Sequence, residues 1–392
     1  MGSRVTQLLN TSRDHRVALA AFIAAMFLAN SGAATARQED AVRSRVAALT
    51  MEQKGQNAEA ETAWNAILSA DPHNTEALAH MGLLEARQER YDTAIDFYRR
   101  AIATDPNFPG LQMNLGLTLF KAGQFPDAIK SFSSEIRKHP GDQRLTILMG
   151  MAHYGMKDYL VAIPYLHQAL QHDRGNATLQ IALARSCMSS KQYSCVVEQH
   201  DALVALHSDS TEVDLLTAEA LQSMNRPEEA VSELKAALQS NPNEPNLHFA
   251  LGFVLWTTAK WSQAADEFQL DLQNNPQHAE GHIYLADCLL HEKQSAQALS
   301  ELQKVPASDE SDPLLHLDLG TLYMDSGRRD DAFRELKIAA ESDPNNADLH
   351  RQIAKLYQSI GRGDEAKEEL ESANRTSQTH PSLEQVLEPA TP

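Results

Sequence analysis

The stretch QERYDTAIDFYRRAIATDPN, residues 88–107, carries three aromatic residues, three arginines and a terminal Asp-Pro. Alone, it fits either a basic-aromatic surface for nucleic acid or one face of a packed helix. The stretch that follows, GQFPDAIKSFSSEIRKHPGD (123–142), separates these readings. Ala94, Tyr98 and Pro106 return as Ala128, Phe132 and Pro140, each 34 residues on. Self-similarity at a fixed period marks a repeat architecture, in which each repeat buries its apolar face on the next.

The phase holds along nearly the whole chain. Ten units fit without insertion or deletion: 41–74, 75–108, 109–142, 143–176, 177–210, 211–244, 245–278, 279–312, 313–346 and 347–380. Position 8 is always small, as at Gly82, Gly116, Gly252 and Gly320. Position 20 is alanine in nine units, among them Ala94, Ala128, Ala264 and Ala332. Position 24 is bulky in nine, including Trp64, Tyr98, Phe132 and Phe268. Two helices approach closely only where facing side chains are small, and larger ones fill the flanking gaps.

Each unit therefore reads as a helical hairpin. Apolar residues at helical spacing predict a first helix over positions 2–14, as in LQMNLGLTLFKAG (111–123). The second is expected from position 17 or 18 to just before the position-32 proline. Gly82, Ala94, Tyr98, Ala101 and Pro106, like Gly116, Ala128, Phe132 and Pro140, occupy the marker positions of a tetratricopeptide repeat (TPR). The resemblance spans about 41–380 and implies an all-α, right-handed superhelical solenoid whose first helices line a concave groove. It also implies binding of proteins or peptides rather than catalysis.

Two units depart from the pattern. Unit four has Arg174 at the proline position and Pro164 inside its second helix, where a local kink is expected. Unit five has Val196, His200 and Ser208 at positions 20, 24 and 32. The array is thus expected to be least regular around 160–210. Beyond it the charge changes: residues 211–392 carry 32 acidic and 14 basic side chains. Residues 381–392 are read as a disordered tail or a short cap.

Residues 1–36 read as a secretory signal. Arg4, Arg13 and Arg16 precede the apolar run VALAAFIAAMFLA (17–29), and Ala34-Thr35-Ala36 suits a signal peptidase. The run is short for a membrane span, which needs about 20 residues. The chain is expected to be exported, periplasmic or secreted; membrane contact follows only if the signal stays as an anchor. An expected helix–helix turn brings Cys187 and Cys195 near each other, so a disulfide is one reading if their side-chain directions suit it; buried small hydrophobes is the plainer one.

Signs of catalysis or cofactor binding are missing from the sequence. It contains no nucleophile elbow, Gly-rich phosphate loop or HExxH. A net charge of −19 argues against nucleic acid as a partner. His248, His282, His316 and His350 recur at position 4, but repeats stack about 10 Å apart. Zinc ligands stand about 2 Å from the metal, so the four cannot share an ion and are read as packing residues.

The resemblance places positions 2, 5, 9, 12 and 13 of each first helix on the concave surface. Here they supply Met113, Phe120, Met151, Tyr154, Phe249, Phe253 and Trp256, a set suited to adaptable peptide recognition. The alternative is that several of them pack against the neighbouring repeat. Chaperone-binding members hold a peptide carboxylate with lysines and asparagines at positions 5 and 9; here position 5 offers Arg45 and Arg351 only at the ends, and position 9 has Lys355 but no asparagine. The expected function is a scaffold binding a protein or extended peptide in the bacterial envelope. A homo-oligomeric assembly subunit and the regulatory arm of a separately encoded enzyme are the rivals.

Overall fold

The computed structural model describes residues 40–205, 211–244, 246–306 and 311–375. The signal reading (1–36) and the tail reading (381–392) lie outside the described residues, as does Ser208. The chain forms two compact units that divide between Asp158 and Tyr159. The N-terminal unit holds α1 (40–53), α2 (Asn57–Ala70), α3 (Thr75–Arg87), α4 (Tyr91–Thr104), α5 (Leu111–Lys121), α6 (Phe125–Lys138) and α7 (Gln143–Gly155). The C-terminal unit begins with α8 (Tyr159–His172), α9 (Ala177–Ser189), α10 (Tyr193–Ala205), α11 (Thr211–Ser223), α12 (Pro227–Ser240), α13 (Leu247–Thr257) and α14 (Trp261–Asn274). It continues through α15 (Ala279–His291), α16 (Ser295–Leu302), α17 (Pro313–Asp325), α18 (Arg329–Ser342), α19 (Ala347–Ser359) and α20 (Gly363–Arg375). Both units are all-α stacks of helical hairpins, the solenoid packing that the repeat implies.

Close contact within each hairpin explains the repeated spacing of small and large residues. A Cβ at Gly82 would stand 2.9 Å from the Tyr98 ring, and one at Gly116 only 2.5 Å from Phe132. Gly252 faces Phe268 at 2.8 Å and Gly320 faces Leu336 at 2.7 Å in the same way. Ala94, Ala101, Ala128, Ala264 and Ala332 are fully buried, where no larger side chain has room. Pro106 and Pro140 lie exposed just past the ends of α4 and α6.

The turn inside each hairpin is equally regular. Position 15 has positive φ in all ten units, from Gly55 (72°) through Glu89 (60°) and Ala259 (58°) to Gly361 (82°). The next backbone N–H reaches back five residues, as Arg90 to the Glu85 carbonyl (3.0 Å) and Lys260 to Leu255 (3.0 Å). This is the Schellman closure, which satisfies carbonyls left open at a helix end. Asn74, Asp142, Asn176, Asp312 and Asn346 cap the helices that follow by accepting backbone N–H bonds.

The position-4 side chains tie repeats together. His282 Nδ1 lies 2.8 Å from Glu301 Oε2 of its own repeat, and Nε2 lies 3.2 Å from the Pro276 carbonyl of the preceding one. His248 bridges Glu267 and Pro242 likewise, and His350 bridges Glu369 and Pro344. His316 pairs with Glu335 at 2.7 Å. The four histidines each have a different partner set and converge on no common point.

Among the described residues of units four and five, the departures from the repeat pattern are packed into the helices. Pro164 lies exposed inside α8, which runs on through it to His172. Val196 is fully buried at position 20, and His200 fills position 24 beside Asp214 of α11. Cys187 of α9 and Cys195 of α10 form a disulfide, with Cα atoms 5.9 Å apart. Cys288 is a buried free thiol.

Candidate functional site

The largest aromatic cluster lies in the C-terminal unit, where α13, α14 and α15 meet. Phe249 and Phe253 are at its centre, 0% and 1% exposed. Both pack against Tyr284 edge to face, at 5.8 and 5.5 Å between ring centroids. This corrects the expectation that they line an open groove. They are core residues, because α15 of the next repeat covers the face of α13 that carries them. Trp256, one helical turn beyond Phe253, is only half-buried and does reach the surface.

Trp256 forms one wall of a cleft of about 600 Å³ that spans α13 to α19. Its Nε1 donates to Asp287 Oδ2 at 2.6 Å, and its ring meets Tyr284 at 5.0 Å and 88°. Trp261, at the start of α14, stacks on His291 of α15 with centroids 3.9 Å apart and planes within 2°. His291 Nε2 stands 3.8 Å from Asp287 Oδ2, so Asp287 lies between the two tryptophan-bearing walls. Leu314, Leu317 and Leu349 supply the apolar remainder.

The carboxyl groups here are held in unusual states. Asp287 is pushed up chiefly by burial, against the opposing hydrogen bond from Trp256. Asp318, fully buried in α17, lies well above the usual carboxylate range because of burial and the nearby charges of Asp287 and Asp312. Burial raises Asp312 too, although it caps α17 by accepting from the Leu314 and Leu315 N–H groups.

The other groove residues belong to the N-terminal unit. Met113 and Phe120 on α5, and Met151 and Tyr154 on α7, are each half-buried. Phe120 packs edge to face on Phe125 of α6, 5.5 Å away, and Met113 lines an open depression with Glu135 and His139. Trp261, Tyr284, Asp287 and Asp318 were not singled out by sequence. Trp261 follows a turn and reads as the start of a second helix, and the aspartates read as solvated charge. The available signal was that Asp287 and Asp318 fall at positions 9 and 6 of first helices, on the inner side of the array.

Among the described residues no group of three or more His, Cys, Asp or Glu side chains is arranged to hold a metal ion. Nor is any described helix long and apolar enough to cross a membrane.

Two family models find the same repeat in this chain. One family model described as tetratricopeptide repeat matches residues 46–110 and 215–273, and a second matches 85–152 and 323–387. The chain is similar at 12% identity to the crystal structure of yeast Tom70, covering 86% of this chain and 85% of that one, with a TM-score of 0.42. It is similar at 15% identity to a tetratricopeptide repeat protein from Parabacteroides merdae, covering 64% and 98%, with a TM-score of 0.40. Naa15/Naa10 bound to HypK-THB matches at 16% identity over 86% of this chain and 63% of that one, with a TM-score of 0.46. No curated protein matches the chain. Repeats of this type act as protein-interaction scaffolds and are typically non-catalytic. By its repeat phase, its hairpin packing and both family matches, the chain belongs to the tetratricopeptide repeat family.

Proposed function

We propose that this scaffold holds an extended peptide segment of a partner protein in the α13–α19 cleft. The observation that carries the reading is the cleft itself. It combines the half-buried Trp256 and Trp261 with leucine side chains and hydrogen-bonding groups on rigid helices, the mixture typical of a recognition pocket. A surface preformed on helices loses little backbone freedom on binding. The half-buried Met113, Phe120, Met151 and Tyr154 offer a separate contact surface in the N-terminal unit. The signal-like segment 1–36 supports export, with the mature chain starting at Arg37 in the bacterial envelope.

Phe253→Ala is unsuited to testing the site, because emptying a buried phenylalanine site costs about 3–5 kcal/mol of stability. Trp256→Ala combined with Trp261→Ala is the better probe, with melting temperature as the control for folding. Crosslinked capture from envelope fractions, read by mass spectrometry, should lose its main partner in this variant. Unchanged capture by a folded variant would remove the cleft from consideration. Mass spectrometry of the exported protein tests the start at Arg37.

A further inference from the structure

The cleft is acidic as well as aromatic. Glu280, Asp287, Asp312, Asp343 and Asp348 line it against one lysine, Lys355, which is itself exposed. A second recess of about 270 Å³ adjoins it, sharing Asp287, His291, Leu317, Gln352 and Lys355, and Asp318 lines that recess. Asp318 is 2% exposed, and its Oδ2 has no hydrogen-bond partner. A buried carboxyl oxygen without a donor is costly, and buried polar atoms left open in this way are uncommon. An open acceptor in the wall of the recess is what a donor-bearing ligand would satisfy.

The aromatic wall narrows its chemistry. A ring face and a carboxylate attract the same sign of charge, the ring through its quadrupole and the carboxylate through its formal charge. Trp256 and Asp287 both line the cleft and touch each other, so a cation seated there meets ring and carboxyl together. We propose that this cleft recognises a cationic side chain, an arginine or lysine in an extended peptide, with its N–H donors directed to Asp287 and Asp318. The proposal rests on the reading of the cleft as a peptide site. An acidic peptide would meet five carboxyl groups, and an apolar one would leave Asp318 Oδ2 unsatisfied. Arginine suits the recess better than lysine, because its planar fork offers five donors in fixed directions. Lys355 is the one lysine that lines both the cleft and the recess, and its charge opposes that of a bound cation.

Calorimetric titration of the full chain with acetylated and amidated (Ala-Arg)4 tests this, with (Ala-Gln)4 as the comparison. The arginine peptide should bind and the glutamine peptide should not, and added salt should weaken binding. Asp287→Asn with Asp318→Asn should weaken it by about tenfold or more, the scale of a lost interfacial charge contact. Should that pair fail to fold, Glu280→Gln with Asp343→Asn at the rim makes the same test. Lys355→Gln should tighten binding. Glu368→Gln with Glu371→Gln, on exposed α20 away from the cleft, should leave it unchanged.

Equal binding of the two peptides, or equal loss in the α20 variant, overturns the cationic assignment. If the Trp256→Ala Trp261→Ala variant still loses its captured partner, the peptide-site reading survives that outcome. If capture is also unaffected, both readings fall.

Discussion

Gly116 and Phe132 are in such close contact that a Cβ on residue 116 would lie 2.5 Å from the Phe132 ring. The ring is fully buried, so the ring or the helix carrying Gly116 must shift to admit a methyl group. Gly116→Ala should therefore destabilise the N-terminal unit by about 1–3 kcal/mol, the usual cost of overpacking a core. Gly82→Ala, with 2.9 Å to Tyr98, should cost less. Urea unfolding of the two variants side by side checks the order.

Ala259 adopts φ 58° at the turn between α13 and α14, a position held by glycine in four other repeats. An L-residue there costs about 1–2 kcal/mol, while glycine's extra unfolded-chain entropy returns about 0.4–1 kcal/mol of that. Ala259→Gly should thus stabilise the C-terminal unit by roughly 0.5–1 kcal/mol. A lowered denaturation midpoint would show that the turn is not held in this conformation in solution.

His200 Nε2 stands 3.4 Å from Asp214 Oδ1, both residues buried, and this hydrogen bond is the main reason its imidazole is raised above the ordinary histidine range. Desolvation opposes the shift, and the Glu233, Asp214 and Asp201 charges add to it. In this case the folded state binds the proton more tightly than the unfolded state. The stabilisation is complete below the unfolded value, about pH 6.5, and is lost as pH rises through the higher folded value. Unfolding free energy should fall with pH in that window, by at most about 1.4 kcal/mol per pH unit. His200→Gln should flatten this part of the profile. The buried Asp287 and Asp318 also favour lower pH, so the difference between variant and parent is the measurement that counts.

The Cys187–Cys195 bond joins α9 to α10 across a sequence separation of 8. A loop of that size stabilises by about 2–3 kcal/mol on the chain-entropy model. Reduction, or Cys187→Ser with Cys195→Ser, should lower the melting temperature of the C-terminal unit and leave the N-terminal unit unaffected. Thiol counting under denaturing conditions should find one free cysteine, Cys288, before reduction.

The repeat and its hairpins were legible because their causes are local. Helical spacing, a small residue at position 8 and a bulky one at position 24 act within one 34-residue unit. The array multiplies each signal, so Gly82–Tyr98 and Gly252–Phe268 reinforce the same reading. The position-15 turn was less legible, since Glu89, Lys157 and Ala259 take a backbone conformation that their residue types do not announce.

Exposure, by contrast, is decided between units. Phe249, Phe253 and Trp256 share the inner positions of one helix, yet α15 covers the first two and leaves Trp256 half-open. The acidity of the cleft has the same origin, because Asp287 and Asp318 come from different repeats and meet only when α15 packs on α17. The sequence by itself determined the period, the hairpins and the scaffold class, all of which follow from contacts between near neighbours in the chain. Only the tertiary structure decided which groove residues reach the surface and which carboxyl groups share a recess, because burial depends on what the next repeat places against them.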